Sequence, residues 1–329
     1  MKIVEQKRHL NKYINSSKVV FIMAHKDLDL DALGSCIGLS IILKQKRKDC
    51  YIIIDDKTHE LGVEKILNEL EGCIPIIRSE NIDKYLYPNN KKNLLIILDT
   101  NKQELVQNKE VLKKIDKKVV IDHHELGKTT IHDAFLINDP EVSSTCEIVT
   151  ELTEIYDIEL DPYYATLLLS GIVLDTNNFT LNTTAETYYT AYYLANLGAS
   201  AKKVQYLLKQ NIEEYTERQK LLTDIERVGK KCVFTKASAK TIYRKDDLAK
   251  VADTLLFFNN IEASFVIGKI DKNTIGVSAR SLGNFDISKV LETLGGGGTD
   301  YQGAAQVENE TLSKVEQELK KAILQEEGE

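Results

Sequence analysis

The sequence predicts an α/β protein with a mostly parallel-sheet domain followed by a second, smaller α/β domain. The chain has 329 residues, which is enough for two domains. Its candidate strands are continuous apolar runs rather than alternating ones, as is typical of parallel strands covered by helices on both faces. Candidate helices alternate with these runs, which is the order expected of a parallel sheet.

The first domain, predicted over 1–185, contains four apolar strands and a helix with two glycines on one face. The strands are predicted over 18–25, 51–55, 92–100 and 117–124, and the helix, with Gly34 and Gly38, over 32–46. Three of these strands end in His or Asp. Ligands of open parallel sheets bind beyond the carboxyl ends of the strands. We therefore expect one edge of the sheet to carry His25, Asp99, His123 and His124.

A helical connection is predicted over 186–229, and the smaller domain over 230–329. Capping boxes predict two helix starts, one from Ser144 and Glu147 and one from Thr183 and Glu186. A long charged helix is predicted over 201–229. The smaller domain is predicted to contain strands over 263–270 and 274–281, a helix over 286–294, the glycine run 295–298 and a last helix over 310–325.

Composition and charge narrow the classes of function. The chain is 43% hydrophobic and 28% charged and contains no apolar run of transmembrane length. Its five cysteines are widely spaced without a CxxC pair, which indicates reduced residues of a cytoplasmic protein. The N-terminus lacks a signal-peptide core. The net charge of −7 argues against long nucleic acid as a partner. No membrane partner is expected.

Three aspartates alternate in the stretch AHKDLDLDALGS, which suggests an EF-hand calcium loop. That interpretation fails because Ala32 stands where the loop needs Gly, and Gly38 stands where it needs a bidentate Glu. The better interpretation places His25 at the end of a strand. Asp29 and Asp31 then lie in the loop before the next helix.

Six side chains from four segments are predicted to converge as metal ligands: His25, Asp29, Asp31, Asp99, His123 and Asp175. Without cations, so many carboxylates would repel one another and take up protons. Oxygen ligands with a minority of imidazole suit Mn²⁺ or Mg²⁺, with Zn²⁺ and Fe²⁺ as alternatives. Six ligands suit two ions, which is the arrangement used for in-line displacement at phosphorus.

Four ordered motifs resemble the DHH phosphoesterase superfamily: HKDLDLDALGS, LDT, VVIDHH and SGIVLDTNNFT. GVSARS, followed by GGGG and AAQ, resembles its DHHA1 substrate domain. The sequences EASFVIGKI and VSARSLGNFDISKVLETLGGGG are most similar to the catalytic module of cyclic di-AMP phosphodiesterases of the GdpP type. The resemblance implies Mn²⁺-dependent hydrolysis of cyclic di-AMP to linear pApA. Relatives with the same two domains cleave pApA or short oligoribonucleotides.

The resemblance also implies a role for each predicted site residue. The metal ligands divide into His25 and Asp29 for one ion, Asp31 and His123 for the other, and Asp99 and Asp175 shared or close to both. Two further residues are implied to be catalytic. Asp122 orients an imidazole, and His124 faces the scissile phosphate or its water.

In the second domain, the resemblance implies that Arg280 pairs with a phosphate. The backbone N–H groups of Gly296, Gly297 and Gly298 would approach another phosphate or a base. Thr299 departs from the family, in which a His usually follows the glycine run, so we expect altered binding of the substrate. GdpP-type proteins carry membrane and sensory segments upstream. We interpret this chain as a stand-alone form, which in the family often prefers linear substrates, and the resemblance implies a homodimer.

Taken singly, these residues have simpler interpretations: a cap or turn for Asp99 and Asp175, a core histidine for His25, a surface ion pair for Arg280 and a flexible loop for the glycine run. Capping alone explains Ser144 and Thr145 at a helix N-terminus, with contact to the substrate as the alternative. Helix packing explains the tyrosines of 188–193, with base stacking as the alternative. The motifs taken together favour the metal site. A catalytically silent module that binds a nucleotide is the alternative from another class of function.

Overall fold

The computed structural model describes residues 3–57 and 59–328, which form two compact units. The first unit extends to Lys209 and the second begins at Gln210. Each unit has its own sheet and its own helices. No helix among the described residues is long and apolar enough to cross a membrane.

The first unit is built on a six-stranded sheet. Its strands are β1 (Val19–Met23), β2 (Asp49–Ile53), β3 (Ile76–Ile77), β4 (Asn93–Leu98), β5 (Lys118–Asp122) and β6 (Phe135–Asn138). Its helices are α1 (Ile3–Ser16), α2 (Leu30–Gln45), α3 (Leu61–Glu69), α4 (Lys109–Lys114), α5 (Thr145–Ile155), α6 (Pro162–Asp175), α7 (Ala185–Asn196) and α8 (Ala201–Leu207). All neighbouring strands are parallel, which confirms the predicted sheet.

Continuous apolar runs form the central strands because both faces of this sheet are covered. In β1, Val20 and Ile22 pack in one hydrophobic cluster, whereas Val19, Phe21 and Met23 pack in another. Successive side chains of a strand point to opposite faces. The two clusters therefore lie on opposite sides of the sheet, and no position of β1 is available for a polar residue.

The strand order is β3-β2-β1-β4-β5-β6, so the chain winds outward in both directions from β1 and β4. Such a switch point opens a crevice at the carboxyl ends of the strands. His25 follows β1, and Asp99 follows β4 directly. The backbone of Asp99 has a φ of +58°, in the left-handed region that costs a non-glycine residue free energy. The fold therefore places two predicted ligands at the crevice.

Close packing of α2 on α6 depends on glycines. A Cβ atom at Gly34 would lie 2.9 Å from the carbonyl oxygen of Leu167, and one at Gly38 would lie 2.8 Å from a methyl group of Leu168. These contacts confirm the prediction that the two glycines share a face. Helix α2 begins at Leu30, so Asp31 lies in its first turn and not in the preceding loop, as the sequence had suggested.

The predicted helix over 201–229 is wrong. The chain forms α8, then α9 (Ile212–Gln219), a short 3₁₀ turn and strand β7 (Glu226–Val228). The side chain of Asn211 accepts hydrogen bonds from the backbone of Glu213 and Glu214, which starts a new helix. The capping box predicted at Thr183 is formed one residue later, by Thr184.

The second unit is a mixed six-stranded sheet with helices. Its further strands are β8 (Cys232–Lys236), β9 (Ala263–Lys269), β10 (Thr274–Ser281), β11 (Gly297–Gly298) and β12 (Gln302–Glu308), and its further helices are α10 (Lys245–Leu255), α11 (Ile287–Glu292) and α12 (Leu312–Gly328). The strand order is β11-β12-β10-β9-β8-β7, with only β8 and β9 parallel. This unit is the predicted smaller α/β domain.

The division between the units differs from the boundaries drawn on the sequence, which were 1–185, 186–229 and 230–329. Helices α7 and α8 pack on α6 and so belong to the first unit. Helix α9 and strand β7 belong to the second. Residues 186–229 are therefore shared between the two units, because both halves bury apolar side chains against a neighbouring sheet or helix.

Candidate metal centre

Among the described residues, three overlapping groups of possible metal ligands lie at the carboxyl edge of the parallel sheet. The first contains His25, Asp29 and Asp99, and the second contains Asp31, His123 and Asp175. The third contains Asp99, His123 and His124, so His124 also lies within reach of a cation. In each group the ligand atoms all lie within 4.8 Å of one another. The structure thus brings together the six residues predicted as ligands. It also groups His25 with Asp29, and Asp31 with His123, as the resemblance implied. Their role as ligands stays a prediction.

In the first group, the ring of His25 is oriented for metal binding. Its Nδ1 lies 2.7 Å from the carbonyl oxygen of Lys26, which only a protonated nitrogen can bind. Nε2 points the other way and lies 3.2 Å from Asp99 Oδ2 and 3.8 Å from Asp29 Oδ2. Asp29 also caps α2, because its Oδ1 accepts a hydrogen bond from the backbone N–H of Ala32 at 2.9 Å.

In the second group, the main chain holds Asp31. Its Oδ2 and Oδ1 accept hydrogen bonds from the backbone N–H groups of Thr145 and Cys146, each at 2.8 Å. These N–H groups begin α5 and have no partner within the helix. Glycine at position 171 makes room for the carboxylate, since a Cβ atom there would lie 2.7 Å from Asp31 Oδ1. Asp175 is the last residue of α6.

The ring of His123 gives a direct test of whether a cation fits. Its Nε2 is buried and lies 3.2 Å from Asp175 Oδ2 and 3.5 Å from Asp99 Oδ1. Despite these distances, it makes no hydrogen bond of good geometry with either oxygen. A buried ring nitrogen that lacks a well-aligned hydrogen bond costs free energy. A cation bound by the nitrogen and both carboxylates would remove that cost, so the residues fit a divalent metal.

Burial and mutual repulsion perturb the carboxylates strongly. Burial raises the pKa of Asp31 well above its usual range, and Asp99 and Asp175 raise it further. Burial likewise raises the pKa of Asp29 to about 7, although His25 opposes it. The pKa of His25 is lowered by burial, but Asp99 and Asp29 outweigh this and raise it to about 11. Without cations, protons bound to these side chains therefore balance part of the negative charge of the carboxylates.

The two residues predicted as catalytic, Asp122 and His124, are joined by a hydrogen bond. Asp122 is fully buried, and its Oδ1 lies 2.8 Å from His124 Nδ1. The same oxygen accepts a hydrogen bond from the backbone of His123 at 2.9 Å. This arrangement fixes the ring of His124 and leaves its Nε2 facing away from Asp122. His124 is about half exposed, with 49% of its side chain accessible.

Asn101 was missed on the sequence and completes this arrangement. Its Nδ2 donates to Asp122 Oδ2 at 2.6 Å and to the carbonyl oxygen of His124 at 3.1 Å. Thr145 was interpreted as a capping residue, but Ser144 is the cap, and the hydroxyl of Thr145 donates to Asp99 Oδ1 at 3.0 Å. A polar residue two positions after the strand-end Asp99 was the available signal for Asn101.

In the second unit, Arg280 lies on β10 in an ion pair with Asp253 of α10. Its Nε lies 2.6 Å from Asp253 Oδ1, and its Nη1 donates to the carbonyl oxygen of Ala279 at 3.0 Å. These contacts fix the plane of the guanidinium group. The simple ion pair considered from the sequence is therefore present. Binding of a phosphate by Arg280 stays a prediction.

The glycine run packs against β12 more closely than the sequence implied. Cβ atoms at Gly296 and Gly298 would lie 2.4 Å and 2.3 Å from carbonyl oxygens of β12. The N–H group of Gly296 donates to the carbonyl oxygen of Leu291, so, contrary to expectation, it is not free for a ligand. At Gly297 a Cβ atom would meet nothing within 4 Å. Thr299 is occupied too, because its Oγ1 accepts from the backbone of Tyr301 at 3.3 Å.

Two family models match this chain in the order of its two units. The model of the DHH family, N-terminal domain, matches residues 19–172, and the model of the DHHA1 domain matches residues 229–326. The first match contains five of the six predicted ligands, and Asp175 lies just beyond it. The second match contains Arg280 and the glycine run.

Curated relatives support the same grouping. The chain is 36% identical over 318 residues to a cyclic-di-AMP phosphodiesterase GdpP of Geobacillus thermodenitrificans, covering 95% of this chain and 48% of the relative. It is 35% identical over 325 residues to the cyclic-di-AMP phosphodiesterase PdeA of Listeria monocytogenes, with the same two shares. The chain thus spans about half the length of the curated relatives it matches.

Among solved structures, the chain resembles an exopolyphosphatase-related protein from Bacteroides fragilis. The TM-score is 0.78 at 20% sequence identity, over 98% of this chain and 96% of that one. At this identity the likeness shows the fold alone. With both domain models matched and the relatives aligned along 95% of its length, this chain belongs to the DHH/DHHA1 phosphoesterase superfamily.

Proposed function

We propose that this chain is a divalent-metal-dependent phosphodiesterase that hydrolyses cyclic di-AMP to pApA, with two Mn²⁺ ions as cofactors. The observation that carries the proposal is the buried Nε2 of His123, which faces the carboxylates of Asp99 and Asp175 without a good hydrogen bond. When bound, two such cations supply positive charge at the reacting phosphate and a hydroxide near neutral pH.

The chain's own residues hold and orient the reacting groups. The ligands of one ion would be His25, Asp29 and Asp99, and those of the other Asp31, His123 and Asp175. Asp122 keeps His124 in one orientation, because its Oδ1 binds the Nδ1 of that ring. Nε2 of His124 is then presented to the scissile phosphate or its water. Water adds to phosphorus, the bond to the 3′ oxygen breaks, and the product carries a 3′ hydroxyl and a 5′ phosphate.

The choice of cyclic di-AMP is supported by the names of relatives that align along 95% of this chain. In the second unit, Arg280 would bind a phosphate, and the open surface at Gly297 leaves room for a ligand to approach the backbone. The cytoplasmic location and the homodimer stay predictions of the sequence. Linear pApA is the competing substrate, and the test below separates the two.

The test is a product assay with purified, metal-free protein. Cyclic di-AMP and pApA are supplied separately, with Mn²⁺, with Mg²⁺ or with EDTA, and the products are resolved over time. We expect Mn²⁺-dependent conversion of cyclic di-AMP to pApA. Cleavage of pApA to AMP with the cyclic compound untouched would instead identify an enzyme for linear substrates. If no metal supports turnover of either compound, the proposed activity is wrong.

Variants tie the activity to the metal centre. Asp31→Asn keeps the shape of the side chain but removes a charge, so we expect turnover to fall at least a hundredfold. The matched control is Asp83→Asn on the surface, where 69% of the side chain is accessible, and it should keep wild-type turnover. Equal turnover in the two variants would refute the assignment of Asp31.

A further inference from the structure

The second unit contains a strand, β12, with one face that the helices leave uncovered. Strand β12 is paired with β10 on one side and with β11 on the other, so it is not an edge strand. Even so, Gln302, Ala304 and Gln306, which share one face of this strand, are exposed. We name this face the β12 shelf and define it by these three residues together with Ser278 of β10, which lies opposite Ala304 and is itself buried.

The shelf is the floor of a cavity of about 310 Å³. Helix α10 forms a wall of the cavity through Lys245 and Leu248, and Arg280 also lines it. The space above the middle of the floor is open because the side chains of Ala304 and Ser278 are small. The neighbouring strand adds nothing above it, since Gly297 is paired with Ala304 and a Cβ atom there would meet nothing within 4 Å. Such a floor accommodates a flat, planar group.

The strand register sets the order of polar groups along the shelf. Arg280 is paired with Gln302, Ser278 with Ala304, and Gly276 with Gln306. Successive rows on one face lie about 6.8 Å apart, because a strand rises about 3.4 Å per residue. A phosphate at Arg280 therefore leaves the Ala304 row for a base. The amide of Gln306 then lies one row further, at the outer edge of that base.

The chemistry of a primary amide favours one base. A glutamine side chain offers one acceptor oxygen and one donor nitrogen, which together match N6–H and N7 of adenine. Guanine presents O6 and N7, which are both acceptors, so the same amide satisfies only half of that edge. The fixed guanidinium group of Arg280, held by Asp253, would anchor the phosphate end.

We propose that the β12 shelf is a nucleobase subsite that selects adenine, with Gln306 contacting the edge of the base and Ala304 forming its floor. The proposal rests on the proposed function, because it takes Arg280 to bind the phosphate of a nucleotide. It goes beyond that function by naming the residues that distinguish adenine from guanine.

The test measures binding without turnover. The full chain in EDTA is titrated with pApA and with pGpG by calorimetry, for the wild type, Gln306→Leu and Ala304→Leu. The matched control is Gln325→Leu, an exposed position on α12 in the same unit. We expect the wild type to bind pApA at least tenfold more tightly than pGpG, since one bidentate amide–base pair contributes about that factor or more.

The variants should separate base selection from base stacking. In Gln306→Leu the preference for pApA should fall to within about twofold, whereas Ala304→Leu should weaken both ligands at least tenfold by filling the floor. Gln325→Leu should change neither. An unfolding transition like that of the wild type, measured for each variant, shows that the fold is kept.

Two results would overturn the inference. One is a pApA preference that survives in Gln306→Leu, and the other is a wild type that does not prefer pApA. If cyclic di-AMP is still hydrolysed with Mn²⁺ in either case, the proposed function stands and only the subsite is refuted. A wild type that neither binds nor hydrolyses any adenine dinucleotide would overturn both.

Discussion

Replacing Asn101 by alanine should damage both stability and catalysis, although this residue is not a predicted ligand. Asn101 and Asp122 are both fully buried, and they are joined by a hydrogen bond of 2.6 Å from Nδ2 to Oδ2. Alanine would leave that carboxylate oxygen buried without its donor. A hydrogen bond to a charged group contributes about 1.5–3 kcal/mol to stability.

A second contact adds to this loss. The hydroxyl of Thr130 donates to Asn101 Oδ1 at 3.3 Å and would lose that acceptor, at a cost of about 1 kcal/mol. The carbonyl oxygen of His124 is protected, because Asn138 also donates to it at 3.0 Å. The free energy of unfolding should therefore fall by about 3 kcal/mol. Activity should fall about 10- to 100-fold, as is typical when a group that orients a site residue is removed.

Urea unfolding and steady-state turnover of cyclic di-AMP would measure the two effects. The matched control is Asn90→Ala, because Asn90 Nδ2 also donates to a carboxylate, Asp116 Oδ2, at 2.9 Å, but near the surface. Water replaces the lost donor there, so the control should cost less than about 1 kcal/mol. If Asn101→Ala unfolds within 0.5 kcal/mol of the wild type and keeps its turnover, the proposed support of Asp122 is wrong.

Three further predictions concern metal binding, helix packing in the first unit and an ion pair in the second. Adding Mn²⁺ at about a hundred times its Kd to metal-free protein should raise the free energy of unfolding by about 2.7 kcal/mol per site, and EDTA should reverse this; unchanged unfolding would contradict metal binding. Gly171→Ala should cost about 1–3 kcal/mol, because its Cβ atom would lie 2.5 Å from a sulfur atom, whereas Gly127→Ala, with nothing within 4 Å, should be neutral in urea unfolding. Burial raises the pKa of Asp247, but hydrogen bonds from Arg244 and Arg218 outweigh burial and hold that pKa below its usual range. The stability that this carboxylate contributes is therefore present at neutral pH and is lost as the pH falls through the lowered pKa. Asp247→Asn should thus be more destabilising at pH 7 than at pH 3, and an equal effect at both pH values would contradict the assignment.

The parallel sheet could be predicted because its strands leave an unambiguous pattern. The interior positions of a strand buried on both faces are apolar, and the first polar residue after that run marks the end of the strand. Asp99 follows β4 in this way, and Asp122 ends β5. Since the carboxyl ends of parallel strands meet at one edge, the order of the motifs was enough to bring the predicted ligands together.

Features that depend on contacts between distant segments could not be predicted in this way. Asn101 is important because of Asp122, which lies 21 residues away on the next strand. Glycine at position 171 is required by the carboxylate of Asp31, and only the packing of two helices reveals that contact. The break before α9 is a local signal that was missed, since Asn211 stands two residues before Glu213 in a normal capping position.

The way in which Asp31 is held determines which sequence changes this site tolerates. Its two partners are peptide N–H groups, at positions 145 and 146, and not side chains. Every amino acid except proline supplies that donor. Other side chains at these positions would keep both N–H donors, although replacing Thr145 would remove its hydrogen bond to Asp99 Oδ1. A proline at either position would remove one of the two donors. Among relatives, this way of holding Asp31 should therefore appear as an absence of proline at both positions.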